Sequence, residues 1–358
     1  MAHILIIRFS AIGDVAMIVP VIDSLARQNF TNQYTVVSRS FLQPLFVHCA
    51  DNVKFVGVDF HDKYRGVPGM YRLYKDLLKQ NLDAVADLHD VLRTKLLRIF
   101  FRCSGLTVKH IDKGRKDKRL LTRKKNKIFR QLKPTVERYA DVFSALGQTL
   151  TSLDFRSIFG SSCGDFKIIK PFSGEKSGVW IGIAPFAKHE GKILPFDCTE
   201  QVVAHFARRK DTTVFLFGGG TTEKAILNEW SAKYLQAVSV AGKIDLSAEL
   251  ILMSYLNVML SMDSANMHLA SLTATPVVSV WGATHPYTGF CGYNQSTDNA
   301  VQLNLSCRPC SVYGNKPCYR KNTECLTKIT PQIVIDKIEE MIHLSSFKNP
   351  ETGQLTNN

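Results

Sequence analysis

The chain alternates between short, dense apolar runs and longer stretches in which apolar residues recur at helical spacing. Residues 3–9, His-Ile-Leu-Ile-Ile-Arg-Phe, are rich in β-branched side chains and predict a buried parallel strand. Ser10-Ala-Ile-Gly-Asp14 turns the chain, and residues 15–28 carry the helical period. The pattern then repeats, predicting strands at 33–38, 54–58 and 84–88 and helices at 41–50 and 70–80, with further helical stretches at 95–102 and 135–146. Turn formers concentrate at 161–165 and 171–178, which marks the linker. A second alternation follows, with strands at 179–184, 213–217, 237–240, 258–261 and 277–280 and helices from 196, at 222–234, at 247–255 and at 264–271. Asp197 is placed to cap the helix from 196, with Glu200 at the capping-box position. Repeated strand–helix alternation predicts an α/β fold of two Rossmann-like domains with parallel sheets, residues 1–165 and 176–330. A last amphipathic helix is expected over 331–344.

Length and composition narrow the class. A chain of 358 residues, 45% apolar and 21% charged, is enough for two ordinary domains. Its longest apolar runs fall far short of the roughly 20 residues that cross a bilayer. The first residues run straight into the strand with no leader-like pattern, so a cytoplasmic protein is expected. The net charge of +14 is concentrated: residues 109–133 hold twelve Lys and Arg against two Asp. Such a segment is either a solvated loop or an attractor for phosphorylated substrates, anionic membrane or nucleic acid. It contains a single aromatic, Phe129, and no zinc-finger, RNP-like or helix-turn-helix pattern accompanies it, so no nucleic acid is expected as a partner.

Ligands of open α/β sheets bind beyond the carboxyl ends of the strands, which directs attention to three loops. In the first, Ser10, Gly13 and Asp14 precede a helix, where Asp14 is either an ordinary helix cap or a general base. In the second, Lys188, His189 and Lys192 fall between a strand and a helix, forming either a solvated basic loop or a diphosphate site. The third, Met262-Asp-Ser-Ala-Asn-Met-His-Leu-Ala270, is a capped helix end or an anion and sugar site built on Asp263, Ser264 and Asn266, with His268 by itself read as a packed histidine. Between them, a glycine turn at 217–223 ends in Glu223, which can accept from a ribose diol. The Gly-x-Gly-x-x-Gly and lysine-ending phosphate-loop patterns are missing, which argues against a dehydrogenase or a kinase. No Asp-x-Asp pair is present to hold a metal against a diphosphate, so no cofactor is expected to be required. Cys307-x-x-Cys310, Cys318 and Cys325 are open to three readings: loop thiols, a redox-sensitive disulfide or a structural metal site.

In their order and spacing, Ser10, Gly13 and Asp14, the Lys192 loop, the 217–223 turn and Asp263-Ser-x-x-Met-His-Leu-Ala270 with the following Pro276 to Gly282 stretch resemble the ADP-heptose:lipopolysaccharide heptosyltransferases of glycosyltransferase family 9. That resemblance implies the GT-B architecture, with two Rossmann-like domains facing across a cleft, the donor on the second domain, and the C-terminal helix packing back on the first. It implies inverting transfer of heptose from ADP-heptose to the lipopolysaccharide inner core, a Kdo-lipid A type of acceptor. Asp14 becomes the base, and Lys192, Lys188, Glu223, Asp263, Ser264 and His268 the donor contacts. Ser10, Gly13, Arg93 and Lys95 are assigned to the anionic glycolipid acceptor, with the enzyme peripheral at the cytoplasmic face of the inner membrane. Ala265 departs from the glycine that many relatives carry there and leaves the sugar open. The rival readings are another nucleotide sugar or cell-surface glycan on the same fold, and, in a different class, a nucleic-acid-binding protein using the basic segment.

Overall fold

The computed structural model describes residues 1–346. The described chain divides into two compact units, one of residues 1–115 and 133–161, the other of residues 116–132 and 162–346.

The first unit is an all-parallel sheet of β1 (His3–Ile7), β2 (Gln33–Arg39), β3 (Val53–Val58), β4 (Ala84–Asp87) and β5 (Thr107–His110), in the order β3-β2-β1-β4-β5. Helices α1 (Ile12–Ala16), α2 (Val19–Gln28), α3 (Gly66–Leu78) and α4 (Leu92–Cys103) connect the strands. Leu5 and Ile7 of β1, Val37 and Val85 of its neighbours, and Leu73, Leu97 and Phe101 of the helices bury one core of this sheet. Each such side chain contributes roughly 1.5–3 kcal/mol on leaving water.

The second unit repeats the plan. After α5 (Arg115–Thr122), α6 (Thr135–Ser144) and α7 (Phe166–Ser173) come β6 (Val179–Ala184), α8 (Phe196–Ala207), β7 (Thr212–Leu216), α9 (Thr221–Lys233), β8 (Ala237–Ser239) and α10 (Leu246–Ser254). Then follow β9 (Val258–Met262), α11 (Ala265–Leu272), β10 (Val277–Val280), β11 (Ala300–Val301), α12 (Glu324–Thr327) and α13 (Pro331–Ser346). α6 belongs to the first unit, and α5 apart from Arg115 to the second. The second sheet, also parallel, runs β11-β10-β9-β6-β7-β8.

Several local expectations are corrected. The helix expected over 15–28 is broken into α1 and α2, because Pro20 has no N–H to continue the ladder and is tolerated only in a first turn. The helix expected at 41–50 is a short 3₁₀ turn, Ser40–Leu45, with Pro44 inside it. Asp197 makes no cap: the N-cap of α8 is Pro195, and Glu200 instead accepts from Lys233 and Tyr234. The turn-rich stretch at 161–178 holds α7, capped by Asp165, which accepts from the Lys167 N–H at 3.0 Å. Finally, the C-terminal helix was expected against the first domain, yet Val334, Ile335, Ile338 and Met341 are buried in the second unit's core with α8 residues and β9 and β10. Its apolar stripe finds there the uncovered face of its own sheet.

Candidate functional site

In the first unit the predicted residues gather where β1 ends. Arg8, only 6% exposed, places Nη2 2.7 Å from Asp14 Oδ2 and donates through Nη1 to the Leu88 carbonyl. The Tyr139 ring lies beneath the guanidinium, and the Tyr139 hydroxyl donates to the Asp14 carbonyl at 3.1 Å. The Ala11 N–H donates to Asp14 Oδ2 at 3.2 Å. Burial pulls the Arg8 pKa down, but the Asp14 carboxylate, helped by Tyr139 and Asp87, outweighs it and leaves the value raised. The Asp14 side chain keeps 29% exposure, enough for a substrate hydroxyl to reach it.

His89, at the end of β4, completes this corner. Its Nδ1 accepts from the Phe9 N–H at 3.4 Å, and Nε2 stands 3.4 Å from Ser10 Oγ. Burial, then the cations Arg8, Lys113 and Arg93, push its pKa down to about 3 against the opposite pull of Asp14. The ring is neutral, and with Nδ1 accepting, Nε2 carries the proton. Behind it, Asp87 Oδ1 accepts from the His89 and Asp90 N–H groups, while Asp90 binds Arg98 at 3.1 Å and Arg115 at 2.8 Å. Arg93 is exposed on α4 with its guanidinium 4.8 Å from the centre of the Phe60 ring, and Lys95 is exposed two residues on. Gly13 is buried inside the α1 turn, its carbonyl accepting from the Met17 N–H.

In the second unit the predicted donor residues also collect at strand ends. Lys192 closes a 3₁₀ turn, Glu190–Lys192, after β6, and Asp263 follows β9, the strand paired beside it. Lys192 Nζ lies 2.9 Å from Asp263 Oδ2, with the side chains 14% and 4% exposed. Ser264 is the N-cap residue of α11 but makes no capping bond; its Oγ stands 3.3 Å from Ser261 Oγ. His268 is buried one turn further along α11. Glu223, in the first turn of α9, accepts from the Gly219 and Gly220 N–H groups at 2.7 and 3.2 Å, which fixes the carboxylate over the glycine turn. Lys188 is exposed; together with burial and Lys192, it holds the His189 imidazole below its usual pKa.

Sequence reasoning missed Arg8, His89, Lys113 and Tyr139 in the first unit and His285, Arg308 and Lys127 in the second. Arg8 flanks a loop already singled out and His89 follows a predicted strand, and a polar residue ending a buried strand was the available signal. Burial, Arg308 and Lys127 push His285 down to about 4. Arg308 is buried and spends its N–H groups on the carbonyls of Trp281, Gly282, Leu303 and Thr284 and on Gln302. Cys307, Cys310, Cys318 and Cys325 line one small cavity beside it, all as free thiols. Among the described residues no group of three or more His, Cys, Asp and Glu is arranged to hold a metal ion. The cysteine loop is held by backbone bonds and by Arg308.

Two units built on parallel sheets of five and six strands follow the GT-B-like plan, and the comparisons agree. The family described as glycosyltransferase family 9 (heptosyltransferase) matches residues 70–319, so the chain belongs to that family. It is similar in structure to the E. coli ADP-heptose lipopolysaccharide heptosyltransferase II (17% identity, TM-score 0.70, 97% of this chain and 100% of that one). It is similar too to a family 9 glycosyl transferase from Veillonella parvula (17%, TM-score 0.74, 96% and 97%) and to E. coli heptosyltransferase WaaC with ADP (17%, TM-score 0.65, 95% and 99%). No curated protein sequence matches the chain.

Proposed function

We propose that the protein transfers heptose from ADP-heptose to the inner core of lipopolysaccharide, with inversion at the anomeric carbon. The observation that carries this reading is the buried Lys192–Asp263 pair at the ends of adjacent strands β6 and β9. A lysine held there by a carboxylate is a fixed cation for a diphosphate, and the uncapped N-terminal amides of α11 lie beside it. Glu223 contacts the donor ribose, Lys188 assists at the phosphates, and Asp263, Ser264 and His268 line the sugar and phosphate path.

In the reaction, Asp14 takes the proton of the acceptor hydroxyl as its oxygen attacks the anomeric carbon. The bond from that carbon to the β-phosphate oxygen breaks with its electron pair, and ADP leaves. Lys192 and the α11 amides stabilise the charge that grows on the diphosphate, so no metal is needed. Arg8 holds the Asp14 carboxylate in place, Ser10, Gly13, Arg93 and Lys95 meet an acidic, membrane-held acceptor, and the exposed cations of 116–130 draw the enzyme to the cytoplasmic face of the inner membrane. Among the described residues no helix is long and apolar enough to cross that membrane, and attraction by charge supplies the contact.

Isothermal titration with ADP, UDP and GDP, with and without magnesium, tests the donor assignment. Selective binding of ADP that is indifferent to magnesium is expected; preference for UDP or GDP replaces the donor, and binding of none of them overturns the reading.

A further inference from the structure

We propose that the turn Ser311–Asn315 is the floor that sets the position of the Lys192 ammonium, and that Gly314 is its contact residue. The inference rests on Lys192 as the diphosphate partner and names what positions it. Gly314 is buried at φ +75°, and a Cβ there would stand 2.7 Å from Lys192 Cγ, 3.3 Å from Cε and 3.4 Å from Cδ. The aliphatic stem of Lys192 thus lies directly on the Gly314 backbone. Gly191 shows the same closeness from the other side, since a Cβ on it would come within 2.7 Å of the Gly314 carbonyl oxygen.

The floor is itself anchored. The Gly314 N–H donates to Ser311 Oγ at 2.9 Å, and Ser311 is fully buried. The N–H groups of Cys310 and Ser311 both donate to the Ala283 carbonyl, and the Ala283 N–H donates to the Gly191 carbonyl at 2.8 Å. One continuous set of bonds therefore joins the cysteine loop, the exit of β10 and the Lys192 turn. Arg308 clamps it from below through the Trp281, Gly282 and Thr284 carbonyls at 2.8, 2.6 and 2.9 Å. A lysine stem laid on a rigid surface loses little further freedom when a diphosphate binds, which is how a floor raises affinity.

The test is Gly314→Ala, with Kd for ADP and for adenosine measured by titration. A methyl at this point pushes the Lys192 stem aside, and ADP affinity is expected to fall by about 10-fold, the loss of one charge-assisted contact, while adenosine affinity stays within about twofold. Gly174→Ala is the control, because Gly174 has a similar φ of +71° with nothing within 4 Å of its Cβ, so it carries the backbone strain without the contact. In a Lys192→Ala background, which removes Cγ, Cδ and Cε, adding Gly314→Ala is expected to change the ADP affinity no further. A loss in Lys192→Ala with none in Gly314→Ala overturns the inference alone. So does an equal Gly314→Ala loss in both backgrounds, or an equal loss for adenosine. Unchanged ADP binding in Lys192→Ala overturns the diphosphate reading and the inference with it.

Discussion

Asp14 carries a carboxylate whose surroundings pull in two directions. The ion pair with Arg8 at 2.7 Å and the Ala11 N–H fix its orientation, while its exposed side leaves it open to an acceptor hydroxyl. A base in this setting works by geometry and timing, taking the proton only as the acceptor oxygen bonds to carbon and becomes acidic. Asp14→Asn keeps the shape and the contact to Arg8 through the amide oxygen but removes the basic site. It is expected to bind ADP as the wild type does, because the donor contacts lie in the other unit, and to lose transfer by about 100-fold or more, the usual reach of general-base catalysis. Transfer near the wild-type rate in a radiolabelled-donor assay would exclude Asp14 as the base. Asp14 and Lys192 were legible in the sequence because each follows a strand in a loop of turn formers. Arg8 was not, since a charge at the end of an apolar run reads as the strand running out; only the fold brings it back onto Asp14. His89 was hidden for a related reason: its neutrality comes from burial and from Arg8, Lys113 and Arg93, of which only Arg93 lies near it in the sequence.

At the scale of elements, the basic segment changes meaning. It reads in the sequence as one run of charge, either a solvated loop or an attractor for anions, yet its cations have divided tasks. Lys127 donates to three carbonyls, those of Cys307, Arg308 and Pro309, at 2.8 to 2.9 Å, and Lys118 lies buried against the Phe290 ring at 4.0 Å. Phe129 packs on His285 and Tyr287, and the Leu132 N–H donates to the Tyr287 carbonyl. Lys116, Arg119, Arg123, Lys124, Lys125 and Arg130 remain exposed. The segment is thus a strap pinned to the second unit at a few points, with its other cations exposed. Lys127→Met leaves three carbonyl acceptors without their donor, at a cost of about 1–3 kcal/mol. Faster tryptic cleavage at Arg123 to Lys125 is the expected outcome, and an unchanged cleavage rate would mean that the pins at Lys118 and Phe129 suffice. Strand positions were legible throughout, because a run buried on both faces leaves an unambiguous apolar signature. What escaped was β5, whose residues Thr107–His110 include only one buried side chain, and the two-residue edge strand β11. Both are short edge strands with little apolar content, whereas the edge strands β3 and β8 carry enough apolar residues to be read.

For the whole molecule, the two buried histidines set the response to acid. His89 and His285, each 8% exposed, fall from an ordinary 6.5 to about 3 and about 4. Both are neutral when folded and take a proton readily when unfolded, so the unfolded chain binds up to two more protons between pH 6.5 and these lower values. Their contribution is complete above pH 6.5 and is lost as pH falls, by something on the order of a few kcal/mol in all. Glu249 acts oppositely: burial, then Asp245, raise its carboxyl to about 7, so its contribution is present below its ordinary 4.5 and lost as pH rises to that value. Melting temperatures from pH 4 to 7.5 are therefore expected to fall toward acid less steeply in His89→Gln/His285→Gln than in the wild type, with Glu249 common to both; parallel curves would refute the buried-neutral assignment. The doubling of the parallel plan was readable from the alternation of strand and helix, whereas the side on which residues 331–346 pack was not, because an amphipathic stripe says that it needs a cover and not which one. The strap also bears on how the protein is made. Residues 116–132 leave the ribosome with the first unit, but the carbonyls that receive Lys127 lie some 180 residues later in the chain. At about 5–20 residues per second, the nascent protein carries a basic, Phe129-bearing loop without its seat for roughly 10 to 40 seconds. In that interval Lys118 and Lys127 are as open to chaperones, polyanions and proteases as the outward cations of the loop, whereas in the finished protein both are held against the second unit.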